Sequence, residues 1–137
     1  MSRKYFRNGT FVFLILVLAI SSFLGGCSSS KTIKIGFVAQ MTGPDSYIGQ
    51  AAKLALEDRI AEINAKGGIG GYKVEMFTYD SRSEVPDAVA AAKRLMDQDR
   101  VSAIIGPEWS GAAIPIAAIA DTSKTPVIGT TASNIKV

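Results

Sequence analysis

The stretch Ile104-Ile105-Gly106-Pro107-Glu108-Trp109-Ser110-Gly111-Ala112-Ala113 decides how the rest of the chain is read. Its apolar start closes a buried strand at Gly106, Gly-Pro opens a short loop, and a small-residue helix begins near Ala112. The first turn of a helix leaves backbone N–H groups unpaired and carries the positive end of its dipole. A carboxylate or another small anion is favoured there. Ser110 and Gly111 stand at that turn, and a serine hydroxyl adds a donor of its own. Taken alone, Ser110 reads first as a helix N-cap. The reading as a ligand contact gains weight only because two other loops are directed to the same edge.

Upstream, Thr32 to Gln40 is a strand whose apolar residues Ile33, Ile35, Phe37 and Val38 alternate and then become continuous. That pattern suits a strand covered on both faces. Met41 to Ser46 is a loop of turn residues. The helix Tyr47 to Lys66 follows, with Ile48, Ala52, Leu56, Ile60 and Ile63 as its inner stripe and Lys53, Glu57, Asp58 and Glu62 outside it. Gly67 is the left-handed residue expected just past a helix end. The glycines Gly67 to Gly71 follow a helix and open a strand, the reverse of a phosphate-binding glycine loop.

Lys73 to Tyr79 reads as the second strand and Asp80 to Ser83 as polar loop. The second helix, Glu84 to Gln98, presents Val85, Val89, Ala92 and Met96 on one face, with Pro86 in its first turn. Val101 to Ile105 is the third strand. The third helix, Ala112 to Ser123, turns Ala113, Ile116, Ala117 and Ala120 inward; Pro115 near its first turn sets its start no earlier than Gly111. A short strand, Pro126 to Gly129, precedes the loop Thr130 to Asn134.

The order β-α-β-α-β-α-β has connections suited to parallel crossovers. The expected class is α/β: a three-layer open parallel sheet with helices on both faces. Ligands of such sheets bind outside the carboxyl ends of the strands. The loops there, Gln40 to Ser46, Pro107 to Gly111 and Thr130 to Asn134, are rich in hydroxyls and glycine and poor in charge. They suit a small polar zwitterion or amide held by hydrogen bonds. An enzyme lobe lacks its parts: there is no histidine, one cysteine, and no carboxylate pair at the strand ends. Asp80 reads as a loop cap rather than a base. Glu108 is expected to face solvent, as loop acids usually do. No cofactor and no metal are expected.

The first 26 residues differ from the rest. Arg3, Lys4 and Arg7 precede the apolar run Phe11 to Ile20, which is shorter than the roughly 20 residues of a membrane span. The pattern reads as a secretory signal, with a one-pass anchor as the alternative. Leu24-Gly25-Gly26-Cys27 resembles the lipobox of bacterial lipoproteins, in which the cysteine becomes the first mature residue and carries a diacylglycerol. The other reading is a free cysteine beside an ordinary cleavage site. The division is thus a signal peptide over 1–26, a lipidated tether over 27–32 and a ligand-binding lobe over 33–137. Three of the 15 cations lie in the signal and none of the 12 acids does, so the remainder is neutral at 12 against 12. Nucleic-acid binding, which needs a basic face on the domain, has no support.

Several stretches together resemble one family: Ile35-Gly36 through Thr42-Gly43-Pro44, the run Glu62-Ile63-Asn64-Ala65-Lys66-Gly67-Gly68-Ile69 with Gly71, Tyr79-Asp80, Ile105-Gly106-Pro107, and Thr130-Thr131-Ala132-Ser133-Asn134. It is the leucine/isoleucine/valine-binding type of extracytoplasmic solute-binding protein, with the type I periplasmic-binding fold, which serves ABC importers. The resemblance implies capture of an amino acid or related polar solute for an ABC permease, without catalysis, at a membrane reached through a lipid on Cys27. A ligand sensor on the same fold is the alternative. It implies two lobes, of which residues 33–137 would be the first, incomplete. It further implies that Ser110 holds the ligand's carboxylate, that Thr131 and Ser133 contribute from the last loop, and that Tyr47 or Ile48 covers the ligand. Trp109 either lines the pocket or plugs the gap between loop and helix.

Overall fold

The computed structural model describes residues 31–134. The expected signal over 1–26, Cys27 and the expected tether up to residue 30 lie outside the described residues. Four strands form one parallel sheet: β1 (Thr32–Ala39), β2 (Lys73–Asp80), β3 (Ala103–Ile105) and β4 (Val127–Ile128), in the order β2-β1-β3-β4. They alternate with the helices α1 (Ser46–Ala65), α2 (Val85–Arg94) and α3 (Ser110–Ser123).

The period-two pattern of β2 shows how the layers are made. Phe77 and Tyr79 pack toward a core of Val38, Leu95, Ile104, Ile116 and the small residues Ala88, Ala92, Ala112 and Ala120 from α2 and α3. Met76 and Thr78, alternating with them, line a groove against Ile60, Ala61 and Asn64 of α1. Helices therefore cover both faces, as the sequence predicts. Asn64 ties α1 to the sheet by accepting from Val74 N–H and donating to Val74 C=O, both at 2.8 Å. The inner stripe Ile48, Ala52, Leu56, Ile60 and Ile63 is half-buried, while Leu54 on the same helix is exposed.

The boundaries depart from expectation in places with physical causes. The second helix ends as regular α-helix at Arg94 and continues as a π-helical turn, Leu95–Asp99, closed by Arg100 at φ 53°. Val101 N–H bonds back to Leu95 C=O, so β3 starts only at Ala103. The third helix starts at Ser110, earlier than Pro115 was expected to permit, and Pro115 lies inside it. The proline's missing N–H leaves one carbonyl, that of Gly111 four residues back, without its helical donor. Gly111 is exposed, so water can serve it. Ala117, expected inward, is exposed, and Ala112 takes its place in the core.

The first crossover runs from β1 to one side of the sheet and the last from β3 to the other, so the order reverses between β1 and β3. A crevice at the carboxyl ends of those strands is where such a sheet takes ligands. Gln40 and Gly106 stand there.

Candidate functional site

Gly106 shapes this edge. It lies at φ +90°, and a Cβ on it would come within 2.2 Å of Val38 C=O. Only glycine lets the β3 backbone press against β1 there. The Gly106–Pro107 peptide is cis. From this point the chain runs across the end of β1 into α3, with Trp109 as its extended N-cap residue.

Ser110 is the first residue of α3 and makes no cap hydrogen bond. Its hydroxyl oxygen instead accepts the N–H groups of Ser133 at 3.1 Å and Asn134 at 3.2 Å. Both lone pairs are thereby used, and the hydroxyl proton is the group left to donate. The N–H groups of Ser110 and Gly111 find no acceptor among the described residues. Three donors thus stand at the positive end of a 14-residue helix.

Thr131 fastens the other side: its hydroxyl donates to the Glu108 carbonyl. The structure therefore brings Ser110, Ser133 and Thr131 together, with Ser133 engaged through its backbone. Trp109 is half-buried and packs partly on the α2–α3 core, its indole against Gly111. Tyr47, the second residue of α1, has 69% of its surface exposed.

Glu108 corrects the sequence reading. It was expected to face solvent, yet it is only 4% exposed, and neither carboxylate oxygen has a hydrogen-bond partner among the described residues. The cause is the path of the loop, pressed on β1 at Gly106 and pinned by Thr131 at Glu108. Burial pushes the Glu108 carboxyl above its ordinary 4.5, against a weaker pull from the nearby N–H groups of Glu108 itself and Gln40.

Asp80 organises the first loop, in the capping role the sequence suggests. One carboxylate oxygen accepts from the N–H groups of Met41 (2.9 Å), Thr42 (3.2 Å) and Arg82 (2.8 Å), the other from the Thr42 hydroxyl (2.6 Å). Burial opposes its ionisation, but these hydrogen bonds outweigh that and hold it below 3.8. Ser81 was not singled out in the sequence; fully buried, it donates through both N–H and hydroxyl to Ala39 C=O. Its one sequence signal is a hydroxyl residue directly after a strand.

The family profile for periplasmic binding protein matches residues 32–136. The chain belongs to the periplasmic binding protein family. An amino acid binding protein of Pseudomonas aeruginosa is 35% identical over 122 residues, which are 88% of this chain and 31% of that protein. Among solved structures, LivJ of Streptococcus pneumoniae in complex with isoleucine superposes with a TM-score of 0.74 at 36% identity, over 77% of this chain and 30% of LivJ. A solute-binding protein of an ABC transporter from Rhodopseudomonas palustris, in complex with 3,4-dihydroxybenzoic acid, gives 0.67 at 25% identity over 74% of this chain and 28% of that one. The chain thus spans about a third of the length of these members of the periplasmic binding protein family. They are solute-binding proteins, and the described lobe has their α/β architecture.

Proposed function

We propose that residues 33–137 form the first lobe of an extracytoplasmic receptor that captures a small carboxylate-bearing solute, an amino acid or a relative, and delivers it to an ABC permease. The observation that carries this reading is the state of Ser110: both lone pairs spent on the last loop, its proton and two backbone N–H groups presented at a helix start. That arrangement asks for an anionic acceptor. Isoleucine and 3,4-dihydroxybenzoate, the ligands of two similar structures, differ in every part except a carboxylate. The similar proteins are about three times as long, which supports a second lobe closing over the first and supplying the side-chain pocket. Cys27 would carry the lipid that keeps the receptor beside its permease, two acyl chains being enough for stable anchoring. The receptor needs no covalent chemistry and no cofactor.

The test is calorimetry on the full-length product of the gene, wild type against Ser110→Ala, with isoleucine and with 3,4-dihydroxybenzoate. A charge-assisted hydrogen bond is worth about 1.5–3 kcal/mol, so the variant should lose roughly tenfold or more in affinity. Unchanged affinity in Ser110→Ala would remove the reading.

A further inference from the structure

Glu108 has no place in the site as described so far. It lies two residues before Ser110 on the same loop, almost wholly buried, with both carboxylate oxygens unpartnered. Buried carboxylates normally have a cation or several hydrogen bonds, because an isolated buried charge is costly. The groups that reach this one are few. The nearby donors that pull on it are the Gln40 N–H at the end of β1 and its own N–H, and neither makes a hydrogen bond to its oxygens. Among the described residues, no ion pair or hydrogen bond links its carboxylate to a lysine, an arginine or a second acid. Asp80, another acid at this edge, is occupied by the N–H groups of Met41 and Thr42.

Two consequences follow for a rim that receives an anion. While Glu108 is neutral, the helix start at Ser110 presents only donors. Once Glu108 ionises, a buried and weakly screened negative charge stands on the same short loop, two residues before the Ser110 that would receive a carboxylate.

We propose that Glu108 is a proton-operated gate beneath the anion-binding rim, open to a carboxylate when neutral and repelling it when ionised. The gate rests on the reading of Ser110 as a carboxylate site. It makes solute capture strongest on the acidic side and weakens it as the pH rises through the Glu108 midpoint.

The 137-residue chain contains one tryptophan, Trp109, directly beside Glu108, so its fluorescence reports on the gate without a label. The experiment has two parts on this chain. Side-chain carboxyl carbon NMR follows Glu108, and Trp109 emission is recorded over the same pH series. Isoleucine, whose carboxylate stays ionised throughout, is then titrated from about 1 to about 100 mM while the amide signals of Ser133 and Asn134 are followed. The expected result is a Glu108 midpoint above 4.5, a Trp109 transition at the same pH, and a loss of isoleucine affinity of about tenfold across it. Glu108→Gln should abolish the transition and hold the affinity at its acidic value. A Glu108 midpoint at or below 4.5, or a pH dependence that persists in Glu108→Gln, overturns the gate. If that variant does not fold, agreement between the wild-type midpoint and the affinity loss decides. Absence of any shift at Ser133 and Asn134 at every pH overturns the carboxylate site itself, a failure distinct from that of the gate.

Discussion

The Ser110 hydroxyl oxygen accepts the N–H of Ser133 at 3.1 Å, joining the start of α3 to the loop after β4 across 23 positions of sequence. This bond places two rim loops in one unit and orients the serine proton outward from both.

Replacing Ser110 by alanine should therefore show first in the loop. A net hydrogen bond is worth about 0.5–1.5 kcal/mol, so exchange of the Ser133 amide should accelerate by up to about tenfold. Hydrogen exchange read by NMR checks this, with Ser110→Thr restoring much of the protection because it keeps the hydroxyl. Equal exchange in wild type and Ser110→Ala would mean that the bond contributes nothing to loop order.

A paired substitution separates close approach from backbone conformation. Gly106 and Gly67 both have positive φ, at 90° and 96°, but a Cβ on Gly106 meets Val38 C=O at 2.2 Å, whereas nothing lies within 4 Å at Gly67. Gly67→Ala should cost about 1–2 kcal/mol from conformation alone. Gly106→Ala adds an overlap with backbone that no rotamer relieves, and should cost at least about 3 kcal/mol. Urea unfolding of the two variants measures the difference; similar midpoints would show that β3 can withdraw from β1.

Asp80 and Glu108 should give opposite pH signatures. Asp80 is held below 3.8 in the folded chain, so its contribution is present above that value and disappears as the pH falls through its native midpoint. Asp80→Asn should be destabilised at neutral pH, and the gap to wild type should close on acidification. Glu108 is held above 4.5, so its contribution is full below that value and is lost as the pH rises through its native midpoint. Glu108→Gln, neutral throughout, should be more stable than wild type at pH 7 and lose its advantage in acid. Urea midpoints across a pH series test both signs at once.

These contrasts also mark what the sequence could and could not convey. The element order was legible because periodicity and glycine punctuation are local: Ile48 to Ile63 at helical spacing and Gly67 after α1 each act within a few residues. The meeting of Ser110 with the 130–134 loop was legible too, through the rule that parallel sheets gather their carboxyl-end loops on one edge. The burial of Glu108 was not, because it depends on how closely Gly106 presses on Val38, a contact between strands far apart in the chain. The start of α3 was misread for a related reason. Pro115 is disfavoured in a helix interior, yet the carbonyl it leaves unserved belongs to an exposed residue, Gly111. Exposure is a property of the assembled fold. Trp109 stayed ambiguous in sequence, and its packing on the α2–α3 core gives it a structural duty whatever it does for a ligand.

On the proposed reading the described rim would hold one end of a ligand and leave the remainder in water, which fixes the affinity expected of this chain by itself. A helix start contributes about 0.3–1 kcal/mol toward an anion, and the exposed donors at Ser110 and Gly111 compete with solvent for it. Tyr47, the aromatic residue expected to cover the ligand, stands 69% exposed near the start of α1. Micromolar binding requires about 8 kcal/mol, and millimolar binding about 4. The 137-residue chain should therefore bind isoleucine no more tightly than about 1 mM. Calorimetry at 0.1 mM ligand, roughly a tenth of that limit, should register no saturable heat. A micromolar isotherm from this chain would show that one lobe encloses the solute unaided, and the division of labour between two lobes would have to be abandoned.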